Sequence, residues 1–414
     1  MAEAGVDVIE DARTEAAEIP PLSGRAIALY SAGSLGAGFF YAFNNAVLPL
    51  LIPSTNVLLI NLLSNTRSVE GAVIQPLVGA WSDRIWTPLG RRRPFMLAAI
   101  PLSALIMALT PLAPGLPLTV VGIVLFSLLF NIAVDPYTAL QADIAPPAQR
   151  PTLNAVATVV QFIGQVGLTL GLAFGPFGTH IPTGAYAVVA VGMLLPFLVT
   201  IATTPERRDS ARLEPRRTLG EYVAALRTHE QALRYLMAVF FYNVGINTIQ
   251  VNLTRFATRV LHVSDGDALK LFLILVLLTG LLALPAAWLS KRVGNKRLLV
   301  AGMLLVAVAA AAGLVARDMT QVIPALVVAG VGNAFLTTLA WPTLTLLIPR
   351  ERIGVFAGLM TSASSVSAFF SSFLAAAIVG AWGYRGIFVV LLVAIAAALA
   401  VLVTLRVTPA GETL

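Results

Sequence analysis

Residues 75–95 read QPLVGAWSDRIWTPLGRRRPF. The stretch closes a long apolar segment with Asp83 and Arg84, passes Pro88 and Gly90, and sets down Arg91, Arg92 and Arg93 directly before the next apolar run. Arginines packed this tightly beside apolar sequence mark a membrane edge. Carrying them through the hydrocarbon layer is unfavourable, and the anionic cytoplasmic leaflet attracts them. A topogenic charge cluster with no further duty is one sufficient account of them.

The rest of the chain agrees with a membrane reading. Of 414 residues, 58% are hydrophobic and 11% charged, with a mean hydropathy of +0.86, which is too apolar for a soluble domain of this length. The net charge of +7 does not imply nucleic acid, because the basic residues sit in short loops between apolar runs. The chain has no cysteine, so disulfides, thiolate metal sites and cysteine nucleophiles are excluded. Its three histidines, His180, His229 and His262, have no metal-ligand spacing, and no metal or cofactor is expected.

A spanning helix needs about 20 apolar residues. Twelve segments qualify, at roughly 26–51, 57–81, 95–113, 118–142, 152–177, 184–203, 233–256, 268–289, 298–316, 322–347, 354–380 and 384–406. The run GSLGAGFF (Gly33 to Phe40) invites a phosphate-loop reading, but such a loop must follow a strand. Small residues for close helix packing explain it better. Placing the amino terminus inside puts most arginines and lysines in cytoplasmic loops and leaves Arg255, Arg259, Lys270, Arg317 and Arg385 on the opposite side. The expected location is the inner or plasma membrane, multi-pass, with both termini cytoplasmic.

The expected domains are an acidic cytoplasmic tail (1–23), a six-helix bundle (24–203), a polar cytoplasmic linker (204–231), a second six-helix bundle (232–407) and a short tail (408–414). The acidic start lacks the basic beginning and apolar core of a secretory signal. The halves read as repeats: AWSDR (Ala80 to Arg84) returns as AWLSKR (Ala287 to Arg292), and Gly294, Lys296 and Arg297 stand in for Gly90, Arg92 and Arg93. Asn131 likewise has a mate in Asn333. Two symmetry-related bundles can rock about a site at the midplane, which is how many transporters are built. The expected fold is an all-α membrane protein of twelve transmembrane helices in two pseudo-symmetric six-helix bundles.

The pattern G-x-x-S-D-R-x5-G-R-R-R-P-F, carried by Gly79, Ser82, Asp83, Arg84, Gly90, Arg91, Arg92, Arg93, Pro94 and Phe95, resembles the loop between helices 2 and 3 of the major facilitator superfamily. The leading Gln-Pro and trailing Arg-Pro-Phe are most similar to the sucrose transporter and glycoside-pentoside-hexuronide symporter branch. In NIAVDPYTALQADI, Pro136, Ala139, Leu140, Ala142 and Asp143 also match a sucrose-carrier stretch, while Asp135 and Tyr137 depart from it. The resemblance implies cation-coupled sugar symport, with coupling carboxylates on helices 2 and 4. Here those helices carry Glu70 and Asp135, without the local motifs of the melibiose-type symporters.

Ionisable groups inside spanning helices are rare because each costs about 2.5–3.5 kcal/mol at a helix centre on insertion scales. Arg67 and Glu70 share one face of helix 2. They either pin packing as an ion pair, or Glu70 carries the coupling proton (or sodium replaces it) while Arg67 sets its pKa. A sugar needs neutral donors and acceptors plus an aromatic platform. The candidates are Asn44, Asn45, Asn131, Gln161, Gln165, Asn243, Asn247, Gln250, Asn333 and Trp341. The 161/165 and 243/247/250 spacings put amides on one helical face, and interhelical hydrogen bonding is the competing use. Helix 11 carries a run of hydroxyls from Thr361 to Ser372 that packing explains more readily than binding.

At the cytoplasmic side, Gly79, Asp83, Arg84, Gly90, Arg91, Arg92, Arg93 and Arg150 form the expected gate. Asp83 and Arg84 are its lock, and Arg150 is a candidate partner. The leading expectation is a monomeric, proton-coupled symporter of a sugar or similar small polar solute, working by alternating access in the lipid bilayer and binding no nucleic acid. Proton-driven efflux of an amphipathic compound is a second reading. A transporter-like protein that binds or assembles without moving solute is a third. No nucleophile–base pair, metal cluster or phosphate loop points to an enzyme.

Overall fold

A computed structural model describes residues 20–66, 78, 82, 85–146, 149–175, 183–206, 228–349 and 352–405, without the side chains of residues 142, 151, 353 and 354. Its helices are α1 (Gly24–Leu51), α2 (Val57–Ser64), α3 (Arg93–Leu109), α4 (Leu116–Ile144), α5 (Arg150–Ala173), α6 (Ala185–Thr203), α7 (Glu230–Val260), α8 (Asp265–Leu281 and Ala283–Val293), α9 (Asn295–Val315), α10 (Met319–Thr345), α11 (Ile353–Trp382) and α12 (Gly386–Val403). Among the described residues ten helices are long and apolar enough to cross a membrane. The two arms of α8, bent by 48°, make an eleventh. The chain is a multi-pass membrane protein.

Short polar connections set the ends of several helices. Ser23, Asn56, Ser264 and Asp318 each accept a backbone N–H from the first turn of the helix that follows, at α1, α2, α8 and α10, satisfying donors that a helix start leaves open. Within α1, residues Phe43–Val47 form a π-helical turn. Pro49 explains it: proline has no N–H for the Asn45 carbonyl, and its ring crowds that oxygen. The wider turn carries Asn44 and Asn45 and changes their direction relative to the rest of α1.

The packing repeats with an offset of six helices. In the first bundle α1 packs on α5 and α6, and α3 on α4 and α6. In the second, α7 packs on α11 and α12, and α9 on α10 and α12. The bundles meet through α1 with α7, and through the symmetric pairs α2–α11 and α5–α8. This is the pseudo-symmetry that the AWSDR/AWLSKR repeat predicts.

Close approaches depend on glycine, as the Gly33-to-Phe40 run predicts. A Cβ on Gly38 of α1 would overlap the carbonyl oxygen of Gln161 on α5, and one on Gly164 of α5 would overlap that of Leu35. In the second bundle α9 and α10 meet at Gly302 and Gly332, where each Cβ would stand 2.9 and 2.6 Å from the other's carbonyl oxygen. Lipid supplies no hydrophobic drive between helices, so backbone proximity of this kind is what holds them.

Candidate functional site

A chamber of about 380 Å³ lies between the bundles. The first bundle lines it with Asn44 and Asn45 from α1, Asn65 from α2, and Gln161 and Gln165 from α5. The second contributes Asn243, Asn247 and Gln250 from α7, and Asn333 from α10. The helical spacings therefore do bring the amides to one space. Phe40, Tyr41, Phe162 and Phe272 supply flat apolar walls. Among the described residues around it, none carries a formal charge at neutral pH.

Several amides are pre-positioned by neighbours. The Tyr242 hydroxyl donates to Asn333 Oδ1 at 2.6 Å, while Asn333 Nδ2 donates to Thr279 Oγ1 at 3.0 Å. Asn243 Nδ2 reaches Ser364 Oγ at 3.3 Å. Asn44 Oδ1 is buried with no hydrogen-bond partner. A buried amide oxygen left in that state costs free energy unless something in the chamber donates to it.

Three candidates do not join this group. Asn131 is fully buried (0% exposed) and donates to the Ser127 carbonyl one turn back in its own helix, so its repeat mate Asn333 reaches the chamber and Asn131 does not. Trp341 is 37% exposed and lies outside the chamber lining. Half-buried Asp135 is also absent from the lining. The α4 and α10 repeat pattern does not distinguish these outcomes, because it specifies a helix face without saying what covers that face. Arg67 and Glu70 lie outside the described residues. In the opposite direction, Thr361, Ser364 and Ser365 of α11 line the chamber, while Ser367, Ser371 and Ser372 are buried in packing. The hydroxyl run is thus shared between binding space and packing, a division that one helix face cannot announce.

The face of the molecule at which α1 and α3 begin, the near face, holds the arginine motif. Arg91 and Arg92 are 4% and 6% exposed, so their side chains pack into the protein and are not displayed to lipid headgroups. Both guanidinium groups pair with Asp143 at the end of α4: Arg91 through Nε at 3.2 Å and also through a second nitrogen, Arg92 through Nε at 3.3 Å. Arg92 also donates to Ser82. Glu206, just past α6, accepts the backbone N–H groups of Arg91, Arg92 and Arg93 at 2.8–3.0 Å, where a carboxylate is favoured by the dipole of α3. Arg150 donates to the Ala145 carbonyl at 3.1 Å. Gly79, Asp83 and Arg84 lie outside the described residues.

Gly90 is required at this junction for two reasons. Its φ is +104°, in the region L side chains avoid, and an added Cβ would stand 2.6 Å from the Glu206 carboxyl carbon. Gly90→Ala is expected to lower the melting temperature of the purified protein by several degrees through the combined strain and displacement of Glu206, of order 1–3 kcal/mol. The same substitution at Gly380, where a Cβ meets nothing within 4 Å, is expected to leave it unchanged.

Residues 30–385 match the MFS/sugar transport protein family. The chain belongs to that family. Its members are membrane transporters and not enzymes, and the fold is the major facilitator fold. Proton-associated sugar transporter A of Rattus norvegicus is 31% identical over 218 residues, 47% of this chain and 28% of that protein. The match thus spans little more than a quarter of this relative's length. The isoprimeverose transporter of Lactiplantibacillus pentosus is 26% identical over 74% of this chain and 68% of its own. The crystal structure of a mutant of the nucleoside transporter NupG superposes with a TM-score of 0.73 at 10% identity, covering 92% of this chain and 98% of that one. At that identity the likeness speaks for the fold alone.

Proposed function

We propose that this chain is a secondary active transporter that moves a sugar, or a similar small neutral polyhydroxy solute, by alternating access with proton-coupled symport. The observation that carries the reading is the chamber: amides from both bundles, aromatic walls and no charged lining side chain among the described residues. A sugar hydroxyl both donates and accepts, and amide side chains offer both functions. A chamber shared by two symmetry-related bundles changes its exposure when the bundles rock. Asn44, Asn45, Gln161, Gln165, Asn243, Asn247, Gln250 and Asn333 are the proposed solute-binding residues. The named activities of the two sugar-transporter relatives support the solute class, and the name of the rat relative supports the proton.

In this reading the near face is cytoplasmic, because the basic loops gather there, and both termini are inside. The first bundle spans 24–203, the linker 204–231 and the second bundle 232–407, in the inner or plasma membrane, and the protein acts as a monomer. The near-face motif with Arg91, Arg92, Arg93, Arg150 and Asp143 belongs to the cytoplasmic gate. Glu70 is the proposed coupling group, with Arg67 setting its pKa and Asp135 in a supporting role.

A thermal-shift screen of the purified protein against sugars, polyols and organic acids tests the solute class. At [L] of about 100 times Kd, linkage adds about 2.7 kcal/mol, so a cognate sugar is expected to raise the melting temperature and an amphipathic amine is not. Counterflow of the sugar that scores then separates transport from binding alone. In proteoliposomes Glu70→Gln is expected to abolish sugar-driven proton movement while counterflow survives. Normal proton uptake by that variant removes Glu70 from coupling.

A further inference from the structure

At the far face, where α1 and α7 finish, the bundles are joined by a graded set of contacts. Next to the chamber, Asn65 of α2 donates to Ser372 of α11 at 3.1 Å. One turn outward, Asn61 of α2 and Asn252 of α7 exchange amide hydrogen bonds at 3.1 and 2.8 Å. Lys270 of α8 sits 5.1 Å from the ring centre of Phe174, which follows α5. One turn beyond Asn252 along α7 is Arg255, only 4% exposed. Its Nε donates to the Pro49 carbonyl at 2.5 Å, and its two terminal nitrogens donate to Ile52 and Ser54 at 2.9 Å each.

Those three acceptors belong to the last turn of α1 and the connection just after it. A helix end leaves its final carbonyls without partners and carries partial negative charge. A guanidinium presents its N–H groups in a planar fork that reaches several oxygens at once. Arg255 therefore caps a helix of the other bundle, and it can do so only while the far face is closed. Its bonds cross more than 200 positions of sequence. The acceptors are backbone oxygens, so protonation cannot release them as it would a carboxylate. When the bundles part, water can take over at both the carbonyls and the guanidinium, because Arg255 borders a cavity shared with Thr55, Asn56 and Tyr384.

We infer that Arg255 is a positioning residue of the transport cycle, the latch that holds the far-face gate shut by capping the carboxyl end of α1. The inference rests on the alternating-access reading. Lysine preserves the charge but presents a single nitrogen, so Arg255→Lys loses the fork. Arg255→Gln loses both.

Because the chain has no cysteine, introduced pairs report without background. Spin labels on Thr55→Cys and Ala381→Cys span the far face, and labels on Arg25→Cys and Thr228→Cys span the near face. In the full-length protein in nanodiscs, Arg255→Lys and Arg255→Gln are expected to bring up a longer far-face distance population, at least about tenfold over the parent, equivalent to roughly 1.4 kcal/mol. The near-face pair is expected to shorten in step. General loosening would broaden both pairs without that reciprocity, and would overturn the proposal. So would unchanged far-face distances in monodisperse samples of both variants. Sugar counterflow by the parent is read separately: a reciprocal distance shift without parent counterflow keeps the latch and removes the transport reading, whereas counterflow with unmoved distances does the reverse.

Discussion

Asp143→Ala is expected to be the most destabilising single change in the first bundle, at about 3–5 kcal/mol. Asp143 is the carboxylate on which Arg91 and Arg92 both converge, and all three side chains are under 10% exposed. Removing it leaves two guanidinium groups buried together, with attraction replaced by repulsion. Coulomb energy alone does not make the cluster favourable, since the desolvation of each ion offsets most of it. The large effect comes from stranding the survivors. Unfolding of the purified protein in detergent measures the loss. A triple replacement of Asp143, Arg91 and Arg92 by leucine is expected to recover much of the stability without restoring the polar cluster. If Asp143→Ala melts with the parent, the cluster is not holding α3 to α4.

The second large effect is expected at the α1–α5 crossing. Gly38→Ala and Gly164→Ala each place a Cβ onto a backbone carbonyl of the facing helix. A backbone oxygen has no rotamer by which to retreat, so the helices must separate. Overpacking of this kind typically costs about 1–3 kcal/mol and sometimes more. The functional consequence is larger than the stability loss, because Gln161 and Gln165 on α5 and Asn44 and Asn45 on α1 line the chamber on either side of that crossing. Counterflow of any sugar that scores in the thermal-shift screen is expected to fall to background in both variants while some folded protein remains. Gly167→Ala and Gly171→Ala are on the same helix, and a Cβ there meets nothing within 4 Å, so both should transport as the parent does. Activity in Gly164→Ala equal to that in Gly167→Ala would mean that the crossing does not set the chamber.

Gly90 shows how a motif position becomes legible only in part. The resemblance over residues 75–95 singles it out, but its partner Glu206 sits more than a hundred residues away in what reads as the start of a polar linker. The same holds for Asp143. It can be picked out as a matching residue of the helix 4 stretch, yet nothing local says that Arg91 and Arg92 fold inward to meet it instead of facing lipid headgroups. Arg255 is the plainest case. In sequence it is one of five basic residues on the less basic side, and its occurrence inside an apolar segment was the signal available. Its acceptors are main-chain carbonyls, which every residue possesses, so no pattern of side chains could name them.

The residues by themselves determined that the chain crosses a membrane many times, that its two halves repeat, and that amides on α5 and α7 share a helical face. These follow from hydropathy and from the 3.6-residue period, which are properties of one segment at a time. Only the tertiary structure decided which faces look into the chamber, why Asn333 enters it while Asn131 does not, and which carbonyls of the other bundle Arg255 reaches. Those depend on which helix covers which, and a helix's own sequence carries its periodicity but not the identity of its neighbour.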